Sequence, residues 1–237
     1  MKKHLAIIFL LLTVATAFAT DTKKNGKSEE GSNFNGVITY IGKVTRIPDR
    51  SKTTVKLNEF DSFFDMYFGD EYTKRVENIN NQIIVSYVNG IKEDVFFQTI
   101  ESQIDKSVIY ITANPDEQRK FQLTPQTMRS NHKKVTYASG KKTVCGRKCK
   151  KVVCNMVTED NIHLQLIAWY DPNIRLKDLY TPFFGKIDGM PLMYDFYNGE
   201  YVVTYTATKI RKTMIPNSTF DRPDATPISM TEYVMGQ

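Results

Sequence analysis

The chain has little of what histidine-based catalysis or a zinc site needs. It holds three histidines in 237 residues, and one of them, His4, stands in the first few positions. No HExxH, G-x-S-x-G or phosphate-binding glycine loop occurs. Ser130-Asn131-His132-Lys133 matches the S-x-x-K string of penicillin-recognising enzymes, but no companion Ser-Asp-Asn or Lys-Thr-Gly follows it. Carboxylates are plentiful, yet nothing in the sequence gathers two of them as acid and base. We therefore read the chain as a non-enzyme with neither cofactor nor metal. Tryptophan is scarcer still, with Trp169 alone. Beyond residue 19 no apolar run is long enough to cross a bilayer as a helix, for which about 20 residues are needed.

One sign of charge is missing over a long stretch. From Gln118 to Thr158 there is no acidic residue. Arg119, Lys120, Arg129, Lys133, Lys134, Lys141, Lys142, Arg147, Lys148, Lys150 and Lys151 stand unopposed there. From Leu57 to Glu117 the balance reverses, with twelve acids against Lys74, Arg75, Lys92 and Lys106. Two readings follow. Strands from the two stretches lie side by side and neutralise each other, or Lys133, Lys134, Lys141, Lys142, Arg147, Lys148, Lys150 and Lys151 form an anion-facing surface. Outside the cytoplasm such a surface would meet lipid head groups or an acidic protein rather than nucleic acid.

The N-terminus points to export. Lys2 and Lys3, the apolar run Leu5 to Val14 and Ala17-Phe18-Ala19 have the order of a secretory signal cleaved after Ala19. Residues 20–33 form a polar Lys/Glu/Gly/Ser leader with nothing to bury. We expect residues 34–237 to make a single β-rich domain, soluble in the periplasm or cell envelope, with 213–237 as a tail over the sheet.

Period-two alternation and turn residues mark the strands. They are expected at Phe34–Thr45, Glu71–Asn78, Gln82–Tyr87, Asp94–Thr99, Ser107–Thr112, Arg119–Leu123 and Lys134–Ala138. The stretch Thr143 to Ile174 reads as a hairpin turning at Thr158-Glu159-Asp160-Asn161, and we place it at the centre of an antiparallel sheet. A last hairpin is expected at Met190–Tyr197 and Tyr201–Arg211. Leu176 to Tyr180 suggests a short helical turn. The best helix candidate is Leu57 to Phe68, with Phe60, Phe63, Phe64, Tyr67 and Phe68 at three- and four-residue spacing.

Three cysteines in an exported chain suggest one disulfide and one free thiol. Cys145 and Cys149 would lie about 13 Å apart along an extended strand at roughly 3.3 Å per residue, and a disulfide needs α-carbons within about 7 Å. A Cys145–Cys149 bridge, the pairing we favour, therefore requires Gly146-Arg147-Lys148 to turn or bulge. A three-thiolate metal site would have an unfamiliar spacing.

The string Lys141-Lys142-Thr143-Val144-Cys145-Gly146-Arg147-Lys148-Cys149-Lys150-Lys151, followed by Ala168-Trp169-Tyr170-Asp171-Pro172-Asn173-Ile174, resembles a family core of the form K-T-I-x-G-Y-K-C-K-K … W-Y-T-x-x-I. Gly189-Met190-Pro191-Leu192-Met193-Tyr194, Thr206-Ala207-Thr208-Lys209-Ile210 and Phe220-Asp221-Arg222-Pro223 resemble its closing signature, and Phe34 to Tyr40 its opening. These are the GLPGLI proteins of Bacteroidota and neighbouring exported domains of unknown function. Cys145 and Cys154 depart from that pattern.

By shape the resemblance implies a lipoprotein-carrier-like (LolA-like) fold. The expected architecture is mainly β with minor α: a curved antiparallel sheet or half-open β-barrel, with the helix packed on its concave face. The expected function is binding a lipid, acyl chain or other apolar ligand in the concavity, with Phe60, Phe63, Phe64, Tyr67, Phe68 and Trp169 as its lining and the basic stretch facing anionic head groups. The alternative is a structural or partner-binding component of the cell envelope.

Overall fold

The computed structural model describes residues 34–49, 61–70, 72–79, 82–89, 96–121, 130–175, 187–197 and 199–236. The expected signal and leader, Phe60 and the Leu176–Tyr180 turn lie outside these residues.

The protein is mainly β, built on one large curved sheet that does not close. Its strands are β1 (Gly36–Arg46), β2 (Asp61–Phe68), β3 (Tyr72–Ile79), β4 (Gln82–Asn89), β5 (Phe96–Ser102), β6 (Val108–Ala113), β7 (Ser130–Val144), β8 (Arg147–Thr158), β9 (His163–Asp171), β10 (Met190–Tyr197), β11 (Val202–Lys212) and the two-residue β12 (Ile228–Ser229). Two short helices, α1 (Pro115–Lys120) and α2 (Met230–Met235), complete it. From β1 the chain meanders outward through β2 to β6. It then resumes at the opposite edge and meanders back from β7 to β11, which pairs with β1.

Register assigns the faces. Tyr40 stands opposite Phe64, and Phe64 opposite Glu77; Tyr205 stands opposite Tyr194, Tyr194 opposite Ala168 and Ala168 opposite Val152. Side chains alternate across the pleat, so these residues share one face. It carries Ile38, Tyr40 and Val44 of β1, Leu164, Leu166 and Ala168 of β9, and Val152, Cys154 and Met156 of β8, all buried in one core cluster. Tyr40 stacks on Phe64 with ring centroids 5.2 Å apart, and Tyr194 and Tyr205 pack edge-on or tilted against them at 5.1–5.8 Å. Curvature follows from a single contact. In a flat sheet β3 and β11 are three strand spacings apart, about 14 Å, yet the Arg75 guanidinium of β3 lies 5.6 Å from the Tyr205 ring of β11.

Several expectations are corrected. Within the proposed helix Leu57 to Phe68, residues 61–68 form β2, with Ser62, Phe64, Met66 and Phe68 inward, and Phe63, Asp65 and Tyr67 outward. The aromatic spacing fits both periods. Pairing on both edges, with β1 and β3, decides for the strand, where aromatic side chains pack well on a pleated surface. Arg119 and Lys120 end α1 rather than open a strand. Asn114 caps this helix by accepting from the Asp116 and Glu117 amides at 3.0 Å, while Glu117 accepts from the Asn114 amide at 3.1 Å. That is a capping box with proline at the first helical position. The β8–β9 hairpin turns where expected but lies toward one end of the sheet; β1, β2 and β11 hold the centre.

The C-terminal segment crosses the outer face. The Ile215 amide donates to Asn35 Oδ1 at 2.9 Å, Lys74 donates to the Thr219 carbonyl at 3.0 Å, and Phe220 stacks on Tyr72. Arg222 then sits over Phe97, and β12 joins the edge of β6 in parallel.

Candidate functional site

The expected lining residues are not brought together. Phe64 and Phe68 lie in the core with almost no exposed surface, packed against Tyr40, Tyr205 and Phe34. Phe63 is on the outer face and 55% exposed. Tyr67 is also on the outer face, 5.9 Å beneath the Lys74 ammonium and against the C-terminal segment. Trp169 lies across the sheet on β9.

The anion-facing residues, by contrast, all lie on one hairpin, distributed over both of its faces. β7 and β8 are a long hairpin whose tip is the two-residue turn Cys145-Gly146, both with positive φ. Lys133, Lys134, Lys141, Lys142, Arg147, Lys148 and Lys150 are exposed on this ribbon, and Lys151 is half-buried. Arg147 pairs with the buried Asp171 at 2.6 Å. Lys133, Lys134, Lys141, Lys148 and Lys150 form no ion pair among the described residues. The acidic stretch sits mainly on β2 to β6 and α1, and no strand there pairs with β7 or β8, so the two stretches do not neutralise each other by lying side by side.

Trp169 belongs to this ribbon. It stands opposite Lys151 on β8, and the ammoniums of Lys142 and Lys151 each lie 5.8 Å from its ring centroid. Lys142 also reaches Met193 Sδ at 3.1 Å. The bulge at Ser139-Gly140 brings the backbone against the indole: a Cβ at Gly140 would sit 3.2 Å from it. Lys142 and Lys151 are thereby held close to an aromatic ring.

The expected Cys145–Cys149 bridge is not formed; all three cysteines are free thiols. Cys145 turns at the ribbon tip, while Cys149 is already in the ladder opposite Lys142. Burial, aided by Asp171, pushes the Cys149 thiol up to about 11, and burial pushes Cys154 to about 11. Neither is a ready nucleophile.

A second constellation went unnoticed in the sequence. Facing the core on β3, Arg75 pairs with Glu77 at 2.7 Å, both under 10% exposed. The guanidinium stacks 3.8 Å over Phe64. Around the pair lie Ser62, Thr73, Gln98 and Tyr205, all buried. Among the described residues Ser62 Oγ, Thr73 Oγ1, Gln98 Oε1 and the Tyr205 hydroxyl make no hydrogen bond of good geometry, though Ser62 and Arg75 stand close enough to the Tyr205 hydroxyl to act on it. Burial raises the Tyr205 hydroxyl to about 12, against the opposing effect of Arg75. Thr73, Arg75 and Glu77 share a face by their period of two, but a T-x-R-x-E string gives no signal that this face is the buried one.

Among the described residues no group of His, Cys, Asp or Glu side chains could hold a metal ion, and no helix is long and apolar enough to cross a membrane. No family model matches the chain, and no curated protein matches it.

Proposed function

We propose that the protein is an exported, non-catalytic component of the cell envelope that binds an anionic lipid surface through the β7–β8 ribbon. The observation that carries this reading is the set of exposed ribbon lysines that form no ion pair among the described residues, with the Lys142 and Lys151 ammoniums close to the Trp169 ring. Each lysine or arginine near an anionic leaflet adds about 1 kcal/mol of attraction, and tryptophan favours the interfacial layer. The composition separates the two anionic partners. Specific protein interfaces are enriched in arginine and depleted in lysine, and seven of the eight ribbon cations are lysine. The resemblance to exported GLPGLI proteins supports the export half of the proposal.

The apolar-ligand form of lipid binding draws less support. Tyr40, Phe64, Phe68, Tyr194 and Tyr205 fill the core face with 1–2% of their surface exposed, which leaves those rings no free wall for an acyl chain.

Co-sedimentation with vesicles tests the proposal. Binding to phosphatidylglycerol-containing vesicles, absent on pure phosphatidylcholine and falling steeply as salt rises, is the expected result. Replacing Lys141, Lys142, Lys150 and Lys151 with serine should weaken it several hundred-fold, from about fivefold per lysine, without changing thermal stability. Equal binding to both vesicles, or none to either, would overturn it and favour an acidic protein partner.

A further inference from the structure

The two faces of the β7–β8 ribbon use their cations differently. Side chains alternate across the pleat, so Lys142, Arg147 and Lys151 share the face that carries Trp169, while Lys141, Lys148 and Lys150 share the other. The first three are engaged. Arg147 is paired with Asp171, and Lys142 and Lys151 lie against the Trp169 ring, with Lys142 also on Met193 Sδ. The second three are exposed and form no hydrogen bond, ion pair or ring contact among the described residues. Register sets them close together. Lys141 stands directly opposite Lys150, and Lys148, two residues along β8, stands opposite Thr143. Like charges placed opposite each other destabilise a sheet, so the ladder carries a cost here that no contact among the described residues offsets. Asp188, whose amide donates to the Tyr137 hydroxyl at 3.2 Å on this side of the ribbon, makes no ion pair with them.

We propose that Lys141, Lys148, Lys150 and the Thr143 hydroxyl form a site for the phosphomonoester headgroup of a membrane lipid. The inference rests on the anionic-lipid reading above and narrows it. Opposed side chains in a ladder have Cβ atoms about 5 Å apart, and residues two apart on a strand are separated by about 7 Å. The flexible four-carbon stem of lysine carries its ammonium over either distance. Three ammoniums can therefore meet on one phosphate, and the hydroxyl beside them donates a further hydrogen bond. A phosphomonoester carries a charge of about −1.5 to −2 near neutral pH and three acceptor oxygens, against a single charge and two free oxygens for the phosphodiester of phosphatidylglycerol. Three cations aimed at one spot match the phosphomonoester, whereas cations spread along a ribbon serve a leaflet of single charges.

The test is co-sedimentation with two phosphatidylcholine vesicles of matched surface charge, one charged with phosphatidic acid and the other with phosphatidylglycerol. The protein should bind the phosphatidic acid vesicles roughly tenfold tighter, the equivalent of one more hydrogen bond to a charged group. That preference should shrink between about pH 8 and about pH 5, as the phosphomonoester takes up its second proton with a pKa of about 6 while the lysines stay charged. The triple variant Lys141→Gln/Lys148→Gln/Lys150→Gln should weaken binding to both vesicles and erase the preference. Lys133→Gln/Lys134→Gln, at least seven residues away along β7, should weaken both alike and keep it. All five side chains are exposed, so neither variant should lower the Tm. Exchanging chloride for phosphate at constant ionic strength should leave the preference intact; its loss would assign the site to free phosphate and overturn the lipid assignment. Equal binding to the two vesicles, or a preference that survives the triple variant, would overturn the site alone. Absence of binding to either would overturn the anionic-lipid reading and the site with it.

Discussion

On one side of β1 the core face of β8 to β11 is apolar: Val152, Cys154, Met156, Leu164, Leu166, Ala168, Leu192, and Tyr194 with its ring in the aromatic stack. On the other side, the same face of β2, β3 and β5 mixes Phe64, Met66 and Ile100 with Ser62, Thr73, Arg75, Glu77 and Gln98. The outer edges differ in the opposite sense. The apolar half ends in the basic ribbon, and the polar half ends at β6, which is covered by the protein's own C-terminus. The half with the drier interior thus carries the charged surface. A sheet can place a binding function on its edge when the strands behind it are held by packing alone, and an interior made of polar groups is stabilised only where each of them has a partner.

The largest way to break this contrast is at Glu77. Glu77→Leu leaves the Arg75 guanidinium buried without its counter-charge, and should destabilise by about 3–5 kcal/mol in urea unfolding. Changing both partners, Arg75→Met with Glu77→Leu, makes the polar half resemble the apolar one, and is expected to be neutral or stabilising. If the double variant is as unstable as the single, the ion pair organises this half and the comparison is wrong. In the apolar half, Leu166→Ala opens a cavity at a fully buried position and should cost about 2–5 kcal/mol, with no effect on vesicle binding.

Smaller effects sharpen it. At pH 8 iodoacetamide should label Cys145 at the ribbon tip and spare Cys149 and Cys154, whose thiols are pushed to about 11, until denaturant is added. Mass spectrometry counts the labels; three labels on the folded protein would show that the apolar half opens readily. The smallest effect concerns the covered edge. Glu117 accepts from the Thr231 amide at 3.0 Å and its hydroxyl at 2.8 Å, tying α1 to α2. Burial raises its carboxyl, but the bonds from Thr231 and Asn114, with Lys120 nearby, hold it below the ordinary glutamate range. A lowered folded-state pKa gives stability that is present above the unfolded pKa and lost as pH falls through the folded one. Glu117→Gln should therefore cost at most about 0.5 kcal/mol at pH 7, given solvent screening, and the difference from wild type should vanish in acid.

The strands of the apolar half were legible because alternation, turn residues and burial agree there. β9 reads inward at Leu164, Leu166 and Ala168, and Asp160-Asn161 lies in the turn before it. β2 was not, because Phe63, Phe64, Tyr67 and Phe68 satisfy a helical spacing as well as a strand's, and only pairing with β1 and β3 separates the two. α1 was hidden by Asn114-Pro115-Asp116, which opens a turn as readily as a helix. The basic ribbon was visible as a run of one sign, and its exposure follows from the chain's order, since β7 takes a sheet edge. The polar patch was invisible for the converse reason. Threonine, arginine and glutamate are residues a sequence reading sends to solvent, and nothing in their spacing says that the sheet curls over them.

Trp169 is the chain's only tryptophan, and its ring lies close to the ribbon's Lys142 and Lys151. Its fluorescence is therefore the most direct measure of whether the ribbon meets the lipid surface. Added phosphatidylglycerol vesicles should shift its emission to the blue, salt should reverse the shift, and phosphatidylcholine vesicles should leave it unchanged. Vesicles that bind the protein while the Trp169 emission stays unmoved would place the contact elsewhere and contradict the account.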